Sequence, residues 1–568
     1  MSRETGPAPS VPNSTSARTR LLSEIAGRLM RLPAPASREI AVERELPVPM
    51  DDGVVLLANR YVPAGAGEAM PTVLVRSPYG HDDAVGFLFG RLLAERGLQS
   101  VVQSVRGTFG SGGELDPFNE RADGLATIRW LRAQPWHEGG IGTIGPSYLG
   151  IVQWAVADSV DAMSPSVTAS QFHGMAYGGG SVSLASAISW MFMLEVQERR
   201  LAPLLIALGL RRKLPRLYEE IPLTSVEDWN LGGRFPVTEW MREMAPDSPY
   251  WAARDYSSSV GEATEPVQLI GGWFDIFLPW QIEDYRALRA AGRDPQLVVG
   301  PWTHLSPALA GFSLREGIGW MRAHLLGDDR MLNPIPVRAY LNGADRWLEL
   351  EDWPPPGAVD VDLYLQPEGG LGEEPPSSPA APSRYRYDPA SPTPAVGGPV
   401  LAERDPVSDN RPLEARDDVI VFTGAPLSRA LDAAGPVSAD IHFRASRDDA
   451  DLFVRLCEVE PDGASWNVCD ALIRLVPDAP PRDADGVARV RFELWPTAHR
   501  FARGNRIRVQ VSSGAHPRYI RNPGTGEDPL RATRLLDSDQ EIFHDPDRPS
   551  SVRLWRLPDG AHRSGAAH

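Results

Sequence analysis

In the N-terminal part of the chain, short apolar runs alternate with stretches that have helical spacing. Residues 40–62 alternate apolar and polar side chains around Asp51-Asp52-Gly53, which predicts two strands joined by a turn. Strands are predicted at 72–75, 99–103 and 141–144, and helices at 84–97, about 120–134 and 148–158. Such alternation of strand and helix predicts a parallel sheet with helices on both faces.

This alternation stops between about residues 173 and 257, where several helical patterns follow one another with no strand pattern between them. We interpret this stretch as a helical insertion. Strand patterns return at 267–270 and 296–299, and a helical pattern covers 316–326.

After Trp353 the pattern changes again. Residues 366–399 are rich in Pro, Gly and Ser, which predicts long loops or a linker. From residue 417 onward, short alternating runs separated by turns predict an all-β sandwich of the jelly-roll type.

The bulk properties limit the classes of function. A chain of 568 residues is too long for a single core, and its net charge of -17 argues against a nucleic-acid or anionic-membrane partner. No run of 18 apolar residues occurs, and the polar N-terminus lacks the apolar segment of a signal peptide. We therefore expect a cytoplasmic protein. Cys457 and Cys469 are the only cysteines; we favour two buried free thiols, although a disulfide between them stays open.

The first chemical signal is the segment GTIGPSYLG at residues 142–150. It nearly matches the nucleophile-elbow motif G-x-S-x-G, with Gly145 and Ser147 in place, but position 149 is leucine and the second glycine comes at 150. A predicted strand precedes Ser147 and a predicted helix follows it, which is the arrangement that a nucleophile elbow requires. Without this setting, a glycine-rich turn that contains a serine would be the simpler interpretation.

A serine nucleophile needs a base, and the base needs an acid that orients it. The strand at 267–270 leads to Asp275, and the strand at 296–299 leads to His304. Both residues follow strand ends, in the chain order Ser, Asp, His that α/β-hydrolases use. This coincidence of three positions predicts a catalytic triad.

Acyl transfer also requires donors for the oxyanion of the tetrahedral intermediate. The backbone N–H of Tyr148, directly after the predicted nucleophile, is one candidate. The loop after the first buried strand, Ser77-Pro78-Tyr79-Gly80, has no HGGG sequence, so the Tyr79 hydroxyl is the second candidate. A tyrosine that merely packs at a strand end explains the same residue equally well.

These residues resemble those of the CocE/NonD hydrolases, a family that includes cocaine esterases, α-amino acid ester hydrolases and X-Pro dipeptidyl peptidases, and in character the chain is most like the cocaine esterases. The resemblance extends from about residue 40 to 555, and the late glycine at 150 is a feature of the family. The similar blocks are VRSPYG at 75–80, GPSYLGIVQW at 145–154, GGWFDIF at 271–277, VVGPWTH at 298–304, and two stretches at 452–475 and 500–527.

The resemblance implies Ser147 as nucleophile, Asp275 as acid, His304 as base, and Tyr79 with the Tyr148 amide as the oxyanion hole. It also implies a helical cap, a β domain that helps to close the pocket, and an acyl pocket lined by Trp273, Phe277 and Trp280. As bare sequence, those three aromatic residues are equally good core residues.

The predicted architecture is an α/β-hydrolase core with an inserted helical cap, followed by an all-β jelly-roll domain. Its boundaries are a disordered tail at 1–35, core segments at 36–172 and 258–355, the cap at 173–257, and the jelly roll at 356–568.

The predicted function is hydrolysis of a small-molecule carboxylic ester through an acyl-serine intermediate, with no cofactor or metal. An amidase or X-Pro-type aminopeptidase, an acyltransferase, and a non-catalytic ligand-binding protein stay open as alternatives. The sequence does not determine the oligomeric state, and a homodimer is compatible with it.

Overall fold

The structure is a computed structural model. It describes residues 16–63, 65, 67, 69–199, 201–223, 245, 247–263, 266–402, 405–477, 480–558 and 563–565, the last three as backbone. The part of the predicted cap at 224–244 and 246 lies outside these residues.

The first of two large sheets contains the predicted parallel strands. Its order is β1-β2-β4-β3-β5-β6-β7-β8-β9-β10, with the short β22 (Arg563–Gly565) at the edge beside β10. β4, β3 and β5–β9 are parallel, and antiparallel strands lie at both ends. The strands are β1 (Ile40–Pro49), β2 (Val55–Pro63), β3 (Met70–Ser77), β4 (Gln99–Ser104), β5 (His137–Pro146), β6 (Ala162–Ser166), β7 (Gln268–Phe274), β8 (Gln296–Thr303), β9 (Val337–Leu341) and β10 (Arg346–Leu350).

Helices cover the faces of this sheet, and among the described residues no helix is both long and apolar enough to cross a membrane. The α-helices are α1 (Ala17–Leu29), α2 (Asp83–Val85), α3 (Leu92–Ala94), α4 (Arg121–Arg132), α5 (Tyr148–Trp154), α6 (His173–Ala176), α7 (Leu184–Val196), α8 (Ala202–Leu208), α9 (Leu214–Leu217), α10 (Pro249–Ala252), α11 (Leu278–Ala290), α12 (Pro307–Leu326) and α13 (Arg411–Glu414). Wider π-helical turns lie at Gly86–Arg91 and Gly209–Lys213, and 3₁₀ turns at Ala157–Ser159, Gly178–Gly180, Ser257–Glu262 and Pro367–Gly369.

The chain between β6 and β7 contains helices and, in its described part, no strand, as the pattern of the cap segment predicts. Its longest described helix, α7, has buried residues around most of its circumference: 11 of its 13 residues are buried. A helix that is apolar all round is one that packs on several sides. α7 therefore lies inside the protein, between the sheet and the rest of the cap.

The second sheet forms the C-terminal β domain, with the order β13-β20-β15-β21-β11-β12-β14-β19-β16-β17 and with β18 paired to β15. Inward-facing residues of these strands, among them Phe422, Leu452 and Val509, form a separate apolar core. The strands of this sheet are β11 (Val359–Gln366), β12 (Gly370–Gly372), β13 (Ser383–Tyr387), β14 (Ile420–Gly424), β15 (Leu431–Ala445), β16 (Ala450–Val459), β17 (Ser465–Leu475), β18 (Ala488–Phe501), β19 (Arg506–Ser512), β20 (Ser538–Phe543) and β21 (Ser551–Arg556).

Three details differ from the sequence-based expectation. The tail expected to be disordered through residue 35 contains α1, whose N-terminus is capped by the Ser16 hydroxyl, which accepts the Thr19 N–H at 3.1 Å. The segment 366–399, expected to be loop, contributes β12 and β13. β22, placed by the sequence in the β domain, pairs with β10 of the first sheet instead. β13 and β22 pair with β20 and β10, strands that lie far away in the chain, so no local pattern predicts them.

The two cysteines lie in neighbouring strands, β16 and β17, and both are buried free thiols. This agrees with the pairing state that we favoured. Burial raises the pKa of the Cys457 thiol to about 12, so it stays protonated and unreactive at neutral pH.

A buried carboxyl group joins α11 to the start of the cap. Asp284 accepts the Ser170 N–H at 2.8 Å and the Ser170 hydroxyl at 2.5 Å, and its burial raises the pKa from 3.8 to about 8. The folded protein therefore retains a proton here that the unfolded chain loses at low pH. This residue makes the free energy of unfolding fall as the pH rises from about 4 to about 8, with no further change above that.

We predict that Asp284→Asn, which is neutral at every pH, removes this dependence. Relative to wild type, the variant should gain on the order of 2 kcal/mol of unfolding free energy between about pH 6 and about pH 9. Urea unfolding of both proteins at the two pH values measures it. A constant difference between the two proteins would contradict the assignment.

Candidate active site

Ser147 lies on a sharp turn between β5 and α5. Its backbone has φ 58° and ψ -124°, a conformation that a residue with a side chain adopts only at a strain cost. The following turn of α5 packs so closely on the loop after β6 that a Cβ on Gly150 would lie 2.2 Å from Thr168 Cγ2. The close approach that requires glycine therefore occurs at position 150 and not at 149, which explains the unusual spacing of the motif.

The three residues predicted as a triad come together at the carboxyl edge of the sheet. The Oγ atom of Ser147 is 2.9 Å from His304 Nε2, and His304 Nδ1 is 2.5 Å from Asp275 Oδ1. The other oxygen of Asp275 accepts the Phe277 N–H at 2.8 Å, and the aspartate is fully buried. An ionised carboxylate only accepts hydrogen bonds, so Nδ1 carries the imidazole proton and Nε2 is free to accept the serine proton.

Tyr79 follows β3 and its hydroxyl interacts with Ser147. The indole Nε1–H of Trp190, in α7, donates to the same hydroxyl at 3.1 Å. Burial raises the pKa of Tyr79 to about 12, against the opposite effect of these two hydrogen bonds. At neutral pH the phenol therefore retains the proton that it could donate.

The backbone N–H of Tyr148 begins α5, where the first N–H groups of a helix have no acceptor within the helix. Its side chain points into the core instead. The Tyr148 hydroxyl donates to Glu120 at 2.5 Å and accepts the Phe118 N–H at 2.9 Å, and Glu120 pairs with Arg76 at 2.9 Å. Burial raises the pKa of Glu120, while Arg76 acts in the opposite direction. This buried network holds the first turn of α5 and the loop at Phe118 in fixed positions.

A small apolar pocket opens at Ser147 and His304. Of the three aromatic residues predicted to line it, only Phe277 does. The remaining lining residues are Phe118, Tyr148, Ile151, Phe172, Met175, Ser186, Ala187, Trp190, Ile276 and Leu401.

The prediction for Trp273 and Trp280 is wrong. Trp273 lies in β7 and points away from the pocket: its ring packs on Trp353, with ring centroids 5.5 Å apart, and its indole donates to the Tyr340 carbonyl. Trp280, in the first turn of α11, packs on Trp495 of the β domain. Gly174 makes room for it, since a Cβ there would lie 2.0 Å from Trp280 Nε1.

Comparison with known families agrees with this geometry. Residues 52–306 match the model of the X-Pro dipeptidyl-peptidase (S15) family, and residues 333–553 match that of the X-Pro dipeptidyl-peptidase C-terminal non-catalytic domain. The cocaine esterase of Rhodococcus sp. (strain MB1 Bresler) is 28% identical to the chain, over 90% of the chain and 98% of the relative. The chain belongs to the CocE/NonD hydrolases.

Solved structures show the same fold. An aminopeptidase from a Thaumarchaeota archaeon of marine sediment has a TM-score of 0.76 at 23% identity and covers 93% of this chain and 98% of its own. A CocE/NonD family hydrolase from Staphylococcus aureus has a TM-score of 0.68 at 17% identity, over 92% of this chain and 94% of its own. The solved structures show the fold, an α/β-hydrolase domain followed by a C-terminal β domain. The matched family models and the similarity to a cocaine esterase identify the protein as a serine hydrolase.

Sequence reasoning missed most of the pocket of this CocE/NonD hydrolase. Phe118, Phe172 and Trp190 stack on one another, with centroids 3.9 Å apart for Phe118 and Phe172 and 5.1 Å for Phe118 and Trp190. They come from a loop, the end of the first core segment and the middle of α7. Phe118 has a positive φ of 69°, and no feature of its local sequence predicts this conformation.

We predict that Glu120→Gln destabilises the hydrolase, because it leaves the buried Arg76 guanidinium without a countercharge. The expected loss is roughly 3 kcal/mol, measured as a shift of the urea unfolding curve. Asp51→Asn is the matched control, since it removes an ion pair with Arg129 in which both side chains are exposed. Its effect should stay within about 0.5 kcal/mol, and equal losses in the two variants would contradict the role of burial.

Proposed function

We propose that the protein hydrolyses carboxylic esters through an acyl-Ser147 intermediate. The observation that carries this proposal is the continuous hydrogen-bonded chain from Ser147 through His304 to Asp275, with distances of 2.9 and 2.5 Å. The similarity to a cocaine esterase over 90% of the chain supports ester chemistry in particular.

In the first half of the reaction, Ser147 Oγ attacks the carbonyl carbon while its proton passes to His304 Nε2. Asp275 orients the imidazole and stabilises its positive charge. Collapse of the tetrahedral intermediate breaks the ester C–O bond, and the imidazolium returns the proton to the departing alcohol. Water then attacks the acyl-serine, with His304 as the base, and releases the carboxylic acid and the free serine.

The negative oxygen of each tetrahedral intermediate accepts hydrogen bonds from the Tyr148 N–H and the Tyr79 hydroxyl in this proposal. The first points outward from the start of α5, where the helix dipole also favours negative charge. The second stays protonated because burial raises the pKa of Tyr79 to about 12. Hydrogen-bond donors that are already oriented before the reaction stabilise the developing negative charge without having to reorganise.

The lining of the pocket indicates the substrate class. Its described residues include nine large apolar or aromatic side chains and no aspartate or glutamate: Phe118, Tyr148, Ile151, Phe172, Met175, Trp190, Ile276, Phe277 and Leu401. We therefore expect an uncharged apolar acyl group of modest size.

A second candidate is cleavage of an amide bond, as in an aminopeptidase, and the match to the X-Pro dipeptidyl-peptidase family favours it. The same triad can perform either reaction. A peptide amine needs a carboxylate in the pocket, and the described lining residues supply none, so we rank ester hydrolysis first. Acyl transfer uses the same intermediate with another acceptor. The small-molecule substrate and the cytoplasmic location remain proposals from the sequence.

We predict that Ser147→Ala abolishes both the burst and the turnover of p-nitrophenyl butyrate, with kcat lower by at least about 10³-fold, because the acyl-enzyme cannot form. Stopped-flow absorbance measures the burst. The control is Ser189→Ala, which removes a buried hydroxyl 3.1 Å from the Tyr218 hydroxyl, outside the pocket. Wild-type-like turnover by Ser147→Ala would exclude Ser147 as the nucleophile.

The size of the pocket leads to a separate prediction. Ala187 lines the pocket from α7 and is buried, so Ala187→Leu reduces its volume while preserving helix propensity. We expect kcat/KM for p-nitrophenyl hexanoate to fall about tenfold more than kcat/KM for p-nitrophenyl acetate. The acetate serves as the internal control for folding. An equal loss with both esters would show that the acyl chain lies elsewhere.

A further inference from the structure

Helix α7 of the cap donates two hydrogen bonds to the loop that carries Tyr79. Trp190 Nε1–H donates to the Tyr79 hydroxyl at 3.1 Å, and Gln197 Nε2–H, at the C-terminal end of the helix, donates to the Pro78 carbonyl at 2.9 Å. Positions 190 and 197 are seven residues apart, which places both side chains on one face of the helix. The cap therefore holds the loop at two points on consecutive residues.

The first of these hydrogen bonds determines the direction of the phenol proton. An indole N–H can only donate, so the oxygen of Tyr79 must be the acceptor in its contact with Trp190. A hydroxyl has one hydrogen, and that hydrogen is then directed away from Trp190. Tyr79 also interacts with Ser147. The phenol hydrogen, which the contact with Trp190 leaves free to be donated, is therefore the one that we assign to the oxyanion formed on Ser147.

The indole of Trp190 is itself held in a fixed plane. Its ring stacks on Phe118 at 5.1 Å and on Tyr148 at 6.2 Å, and Tyr148 is tied to Glu120. Two aromatic rings and a buried hydrogen-bond network thus support one N–H group. A donor supported in this way keeps its acceptor oriented through the reaction, which is the requirement for electrostatic stabilisation of a transition state.

We propose that Trp190 is a positioning residue of the oxyanion hole: its indole N–H orients the Tyr79 hydroxyl so that the phenol hydrogen points at the oxyanion. Gln197 fixes the position of the loop that carries Tyr79. The proposal rests on the proposed function, since it assumes that Tyr79 stabilises the intermediate formed on Ser147. It follows that the oxyanion hole is complete only when α7 of the cap is docked on the loop at Pro78 and Tyr79.

The test is a double-mutant cycle on kcat for p-nitrophenyl acetate, using Trp190→Phe, Tyr79→Phe and the double variant. Trp190→Phe retains a ring that can stack but lacks the N–H; we expect kcat to fall about fivefold with KM within about twofold of wild type. Tyr79→Phe should lower kcat about 10²-fold. In the Tyr79→Phe background the tryptophan substitution should change kcat less than about twofold, because there is no hydroxyl left to orient.

Equal effects of Trp190→Phe in the two backgrounds would overturn the proposal, because the indole would then act independently of Tyr79. A change in KM alone would also overturn it and would assign Trp190 to substrate binding only. A smaller ring could also disturb packing, so 3-benzothienylalanine at position 190, which has the shape of tryptophan without the N–H, should reproduce the loss in kcat. Wild-type kcat with this residue would contradict the role of the hydrogen bond.

Two controls separate this proposal from others. Trp273→Phe removes a comparable indole hydrogen bond, 2.7 Å to the Tyr340 carbonyl, outside the pocket, and should change kcat less than about twofold. Ser147→Ala tests the nucleophile independently of Trp190. If Ser147→Ala is inactive and the cycle shows no coupling, the proposed function stands and the positioning role fails.

Discussion

The parallel register of the central strands is the constraint on which the site depends. Phe274 of β7 pairs with Thr303 of β8, so the next residue of each strand, Asp275 and His304, leaves the sheet beside the other. Pro146 of β5 pairs with Ser166 of β6, and Ser147 leaves the sheet at the same edge. Since the carboxyl ends of parallel strands meet at one edge, residues 157 positions apart along the chain, Ser147 and His304, come within 2.9 Å.

A buried hydrogen-bond network behind the site keeps a strained turn in place. Ser147 has a left-handed backbone, and α5 behind it is tied through Tyr148 to Glu120 and Arg76. A buried charge pair contributes little net stability, yet it is costly to disrupt and therefore rigid. Such rigidity suits the proposed mechanism, in which a nucleophile, a base and two donors must stay within tenths of an ångström of their positions.

All three parts of the protein contribute walls to one pocket. The core supplies Phe118, Phe172 and Phe277, the cap supplies Trp190, and the β domain supplies Leu401. The Leu401 N–H donates to the Ser186 hydroxyl of α7, and Trp495 of the β domain packs against the core clusters of both large domains. The cap and the β domain thus complete the walls of the pocket, whereas the carboxyl edge of the sheet carries Ser147, Asp275 and His304.

The sequence by itself determined the chemical groups, because strand ends are encoded locally. An apolar run followed by a glycine-bearing loop identifies the end of a buried strand, and Ser147, Asp275 and His304 each follow such a run in an order known from α/β-hydrolases. Tyr79 was found in the same way. No distant contact was needed for any of these four residues, although their common position at one edge could be inferred only from the predicted parallel topology.

Only the tertiary structure decided which aromatic residues face the substrate. Trp273 and Trp280 lie close to Asp275 in sequence, but the alternation of β7 and the direction of α11 turn them toward Trp353 and Trp495. Trp190 is 111 residues from Tyr79, and its position depends on how α7 docks on the loop at Pro78 and Tyr79. The reason is physical: strand ends follow from the hydrophobic pattern of a few neighbouring residues, whereas pocket walls follow from packing between segments that share no local signal.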